Sequence, residues 1–130
     1  MIIIKNKLEV WFITGSQYLY GEESLKQVDK HSQTIVNYFN EECSFPVNII
    51  WKPVLKSAEE IKNIIIDANS SKKCIGLIGW MHTFSPAKMW IAGLKILNKP
   101  FMHFHTQFER DIPWNTLDMD YMNTNQSAHG

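Results

Sequence analysis

Apolar and polar positions change period several times along the chain, and each change marks a new element. Leu8 to Thr14, LEVWFIT, is rich in β-branched and aromatic residues and predicts a buried strand. Helical spacing follows, with Leu25, Val28, Ser32, Ile35, Val36 and Phe39 on one stripe. Ser24 and Gln27, three apart, predict a capping box at its start. Pro46 to Pro53, PVNIIWKP, predicts a second strand bracketed by prolines. SAEE at Ser57 to Glu60 is a stronger capping box, opening a helix that buries Ile61, Ile64, Ile65 and Ala68. Cys74 to Trp80, CIGLIGW, is apolar on both faces, which suits the middle of a parallel sheet covered by helices.

SPAKMWIAGLKIL predicts a further helix, with Ser85 as N-cap and Pro86 at the first helical position, where proline loses only a donor that would be unpaired anyway. Asn98-Lys99-Pro100 stops it, and Phe101 to Thr106, FMHFHT, predicts a fourth strand. This alternation predicts an α/β fold: a Rossmann/flavodoxin-like parallel sheet of about four to five strands, with helices on both faces and right-handed crossovers. No internal repeat or low-complexity segment interrupts it. From Gln107 to Gly130 the only helical hint is the final NTNQSAHG. A tail this long and aromatic (Phe108, Trp114, Tyr121) is unusual as a free loop and is expected to pack on something. The sequence stops where another helix begins, so a fragment or first domain of a longer protein is expected.

Composition removes several function classes. Hydrophobic residues make up 45%, enough to exclude disorder. Lys plus Arg equals Asp plus Glu at 13 each, so no net charge draws the chain to nucleic acid or an anionic membrane. The apolar start MIII is broken by Lys5 and Lys7, too short for a signal peptide or a membrane span. Cys43 and Cys74 form no CxxC and no disulfide pattern, so a reducing, cytoplasmic home is expected.

Ligands of parallel α/β sheets bind outside the C-terminal strand ends. Four segments converge there: TGSQYLYG (Thr14 to Gly21), WKP after the second strand, GWMHTFSP and HTQFERDIPW. The first has neither G-x-G-x-x-G nor Gly-Lys-Ser/Thr, and Ser-Gln-Tyr-Leu-Tyr between Gly15 and Gly21 would fill the space a diphosphate needs. The amide of Gln17 beside two phenols suits a neutral polyhydroxylated ligand. The plainer reading, which spacing alone favours, is that Tyr18, Leu19 and Tyr20 plug the loop against a neighbour. His103 and His105 share a strand face. With no third ligand nearby, two hydrogen-bonded residues at a crowded strand end are favoured over a metal pair. For His82 the choice between ligand binding and stacking on Trp80 or Phe84 stays open. His31, among polar residues, is expected to be solvated. Gln126 and His129 share a face if NQSAHG begins a helix, as a hydroxyl clamp or, by default, an ordinary polar helix start.

Four stretches, VWFITGSQYLYGEESLKQV, WMHTFSPAKMWIAGLKILNKP, HTQFERDIPW and DMDYMNTNQSAHG, together resemble the N-terminal part of the L-arabinose isomerase family. The resemblance runs from about Leu8 to Gly130 and falters around Asn40 to Lys73; WMHTFSPAKMW is its most specific motif. It implies an enzyme interconverting L-arabinose and L-ribulose, in which a divalent ion, usually Mn2+, holds the sugar oxygens and two glutamates move a proton through an enediol. A metal that polarises the oxygen stabilises the developing enediolate. Family metal ligands and catalytic glutamates lie in later domains, so no catalytic or metal residue is assigned here. Glu22 and Glu23 are expected in a first helical turn and Glu109 beside Arg110 or a neighbour; neither these nor Glu59 is taken as a catalyst.

What the resemblance does carry over is a set of substrate contacts: Gln17, Leu19 and Tyr20 in the first loop, Phe84 in the third, and Gln126 and His129 at the end. Leu19 and Phe84 would form an apolar wall, and Gln17, Gln126 and His129 would bond hydroxyls. Tyr18 stands where many relatives carry His. The family forms hexamers, as dimers of trimers. Residues 1–130 are thus read as an N-terminal α/β domain that completes a substrate pocket and is inactive alone. Its tail from about residue 107 would pack on missing domains or another subunit, and Tyr18, Tyr20, Phe108 and Trp114 would leave an apolar patch. Preference between L-arabinose and D-galactose stays open. The alternatives are a stand-alone flavodoxin-like sugar- or nucleotide-binding module and a purely structural domain.

Overall fold

The computed structural model describes residues 8–83 and 86–125. Four strands, β1 (Glu9–Gly15), β2 (Asn48–Trp51), β3 (Cys74–Met81) and β4 (Phe101–Phe104), form one sheet in the order β2-β1-β3-β4, and every pairing is parallel. Between them lie α1 (Gly21–Glu42), α2 (Ala58–Ser70) and α3 (Ile91–Ile96); α4 (Met119–Thr124) follows β4. The expected α/β architecture is observed, with four strands in the sheet.

Alternation along β1 divides the core into two layers. Trp11 and Ile13 face one side, where Ile61, Ile65 and Ala68 of α2 pack with Leu77 and Trp90, and Leu94 of α3 joins them. Phe12 faces the other, against Val36, Ile35 and Phe39 of α1, with Ile49 and Trp80. Phe12 meets Phe39, Trp80 and Phe104 at ring separations of 6.2, 6.2 and 6.0 Å, tilted or edge-on as ring quadrupoles prefer. Both expected helical stripes point inward: Val28, Ser32 and Val36 of α1 and Ile61, Ile65 and Ala68 of α2 are buried.

Ser57 caps α2 as expected, its Oγ accepting from the Glu60 N–H at 3.2 Å. The return half of that box is displaced by one residue, because Glu60 Oε2 accepts from the Lys56 N–H at 2.7 Å. Three expectations are corrected. The Ser24–Gln27 capping box does not form. A 3-10 turn at Tyr18–Tyr20 runs straight into α1, so Ser24 lies inside the first turn and Tyr20 takes the N-cap position, where its side chain makes no capping hydrogen bond. α3 starts late, after a 3-10 turn at Ala87–Trp90; the Ser85 cap lies outside the described residues. The tail's helix starts four residues ahead of NTNQSAHG and runs into it, since Asp118 Oδ1 accepts from the Tyr121 N–H at 2.8 Å and caps α4. Among the described residues no helix is long and apolar enough to cross a membrane.

Candidate functional site

Because the strands are parallel, their C-terminal ends share one rim, and the first and third loops meet there. Main-chain bonds lock the first in place. Leu55 N donates to Thr14 O at 2.8 Å, Ser16 N to Leu55 O at 3.0 Å, and His82 N to Gly15 O at 3.2 Å. Gly15 is needed at this point: a Cβ there would stand 2.7 Å from Met81 Sδ and 2.9 Å from Trp90 Nε1. One step on, the Ser16 and Thr83 hydroxyls bond each other at 2.9 Å, both wholly buried. Beyond Ser16 the chain leaves the core. Tyr18 is 61% and Leu19 72% exposed, whereas Gln17 and Tyr20 are half-buried. The turn closes through Tyr20 N to Gln17 O at 3.3 Å and leaves by Gly21 at φ 81° and ψ 166°, a conformation almost confined to glycine.

The exposed tip is tethered on one side. Tyr18 Oη donates to Glu60 Oε1 at 3.2 Å, and that carboxylate holds the phenol pKa above its usual value. Lys56 Nζ lies 5.5 Å above the Tyr18 ring. Leu19 makes no such bond and presents its apolar end outward.

A second polar group lies beneath α1. His31 Nδ1 and His82 Nε2 are 2.7 Å apart, so one nitrogen donates and the other accepts. Trp80 stacks on His82 at 4.4 Å, and Phe108 stacks on His31 at 3.7 Å and 4°. His82 is 2% exposed, and burial drives its pKa down to about 4. The backbone carbonyls of His82 and Thr124 offset this in part, whereas His31 adds to it. Nδ1 of His82 makes no well-formed hydrogen bond among the described residues. Burial lowers the His31 pKa as well, with Glu109 opposing and Lys30 assisting. Alongside runs a cleft of about 760 Å³, lined by Gln27, Lys30 and His31 from α1 and by Phe108, Asp118 and Asn125 from the tail.

These contacts decide several expectations. His31 is not a solvated helix residue, because Phe108 folds back from the tail to cover it. His82 stacks on Trp80, which resolves its open reading. His103 and His105 do not sit at a crowded strand end: β4 is the sheet edge, both side chains are exposed, and their rings stack 5.9 Å apart. Arg110 faces Asp111 at 4.0 Å rather than Glu109, whose N–H donates to Asn125 Oδ1 at 3.2 Å. Glu22 and Glu23 do occupy the first turn of α1. Of the aromatic patch, Tyr18 and Trp114 (76%) are exposed, while Tyr20 and Phe108 are half-buried. Gln17, Leu19 and Tyr20 share the first loop on the rim; Phe84, Gln126 and His129 lie outside the described residues. Neither buried pair was anticipated, because its members stand 67 and 51 positions apart in sequence.

Comparison with known proteins bears on this rim. A family model described as the L-arabinose isomerase N-terminal domain matches residues 4–130. A protein of Geobacillus thermodenitrificans named L-arabinose isomerase is 62% identical over 122 residues, covering 94% of this chain and 25% of its own length. Proteins of the same name from Herpetosiphon aurantiacus and Anoxybacillus flavithermus are 61% and 57% identical, covering 94% and 99% of this chain. The chain spans about a quarter of the length of these relatives.

Proposed function

Since the chain belongs to the L-arabinose isomerase N-terminal domain family, we propose that it is the pocket-completing first domain of an enzyme that converts L-arabinose to L-ribulose. One observation carries this reading: the Gln17–Tyr20 loop leaves a rigid core at the C-terminal rim of a parallel sheet, where ligands of such sheets bind. Its side chains divide by chemistry. Leu19 offers apolar surface to the carbon chain of an open sugar, and Gln17 and Tyr20 offer polar groups to its hydroxyls. Phe84, Gln126 and His129 complete the set in this proposal, with Phe84 adding to the apolar surface of Leu19 and the other two bonding hydroxyls.

Among the described residues no three His, Cys, Asp or Glu side chains stand together to hold a metal ion. The described residues thus offer no such donor set for Mn2+, and no proton-transfer step is assigned to them. In this proposal the ion and the catalytic glutamates come from later domains. The domain's own part is to close the cavity, orient the sugar and keep water from its carbonyl end. Assembly as a hexamer and a cytoplasmic location belong to the same proposal. The test is manganese-dependent conversion of L-arabinose to L-ribulose by the full-length protein, with no turnover by residues 1–130. Turnover by residues 1–130 alone would refute the division of labour, and a full-length protein inactive on L-arabinose would refute the substrate.

A further inference from the structure

We propose that Ser16 and Thr83 are positioning residues: their buried hydroxyl pair fixes the root of the Gln17–Tyr20 loop and so sets sugar affinity without touching the sugar. The inference rests on the proposed function above. Ser16 is the last fully buried residue before the loop, and Thr83 stands two residues beyond the end of β3. Both are wholly buried, and their oxygens are 2.9 Å apart. Thr83 is itself well anchored, because its neighbour His82 is clamped between Trp80 and His31. The loop's root is thus tied to a buried, stacked part of the rim.

Packing alone does not call for hydroxyls here. Two apolar side chains of the same shape would fill the space at nearly equal stability, since replacing both partners of a buried bond together is close to neutral. The hydroxyl pair adds direction: it fixes where β1 ends and at what angle Gln17 departs. Beyond that point Tyr20 N bonds Gln17 O and Tyr18 reaches Glu60. Because Ser16 is joined directly to Gln17, a shift at Ser16 is passed on to Gln17, Leu19 and Tyr20.

The experiment compares Ser16→Ala, Thr83→Val, the double variant and Thr83→Ser in the full-length protein loaded with Mn2+. It reads KM and kcat for L-arabinose, the thermal midpoint, and hydrogen exchange over residues 16–21. Each of the first two variants should raise KM about three- to ten-fold, the worth of one hydrogen bond, with kcat changed less than about two-fold. Each should also lower the midpoint, because one hydroxyl is left buried and unpaired. The double variant should regain most of the midpoint yet keep the raised KM and faster exchange, and Thr83→Ser should restore all three. A KM that returns to wild type with the midpoint in the double variant would reduce the pair to a purely structural role. Unchanged exchange over residues 16–21 would also overturn the inference, whatever the activity. A wild-type protein that does not isomerise L-arabinose would instead reject the proposed substrate, leaving the exchange result to judge the pair.

Discussion

Acidification should destabilise this domain through His82. The ring is 2% exposed, stacked on Trp80 and bonded to His31, and its pKa is pushed from 6.5 to about 4. The folded state therefore holds it neutral, whereas the unfolded chain protonates it near pH 6.5. Between those values the unfolded state binds more protons, so stability falls as pH falls. The contribution is complete above about pH 6.5 and lost by about pH 4. At about 1.4 kcal/mol per pH unit, the gap corresponds to ~3 kcal/mol, of which about 2.5 should be gone by pH 4.5. His31 is shifted in the same direction and adds to the loss. The informative quantity is a difference between proteins. His82→Gln cannot titrate. It should be less stable than wild type at pH 7.5, and the gap should shrink by about 2 kcal/mol or more at pH 4.5. Urea denaturation of residues 1–130 at both pH values measures this, and the imidazole titration followed by NMR checks it independently. Parallel wild-type and His82→Gln stabilities across the two pH values, or a His82 ring that titrates at 6.5 or above, would refute the reasoning.

Other expectations follow from single positions. Gly21→Ala should cost roughly 1–3 kcal/mol, because φ 81° with ψ 166° strains any residue carrying a Cβ; an unchanged urea midpoint would contradict it. Gly15→Ala should cost about 1–3 kcal/mol by driving Met81 and Trp90 apart, seen as a lowered thermal midpoint and a shift in the Trp90 indole N–H resonance. In the full-length protein His129→Ala should raise KM for L-arabinose and lower kcat/KM with Mn2+ retained; loss of the metal would contradict its assignment to the sugar. Residues 1–130 should self-associate at high concentration through exposed side chains such as Trp114, and a strictly monomeric sedimentation profile would place the assembly contacts elsewhere.

Local chemistry was legible where it acts over short range. The inward stripes of α1 and α2 and the Ser57 cap follow from spacing and side-chain type. So does the central place of β3, because a strand apolar on both faces needs helices on both sides. The failures have two causes, a neighbouring turn in one and a distant segment in the others. Ser24 and Gln27 had the spacing of a capping box, but the turn at Tyr18–Tyr20 started the helix earlier. His31 had polar neighbours in sequence, yet Phe108, from the far end of the chain, covers one face of its ring and leaves it half-buried. Burial is what makes His82 costly to protonate, with His31 adding a smaller share. Ser16 and Thr83 are ordinary loop residues in the sequence and become informative only as a pair. The rim therefore separates into two kinds of residue. Those proposed to meet a ligand, Gln17, Leu19 and Tyr20, could be named from the resemblance because they lie in one stretch. Those that hold them, Ser16, Thr83, His82 and His31, belong to three segments that meet only after folding, so the precision of the site is written in contacts rather than in any motif.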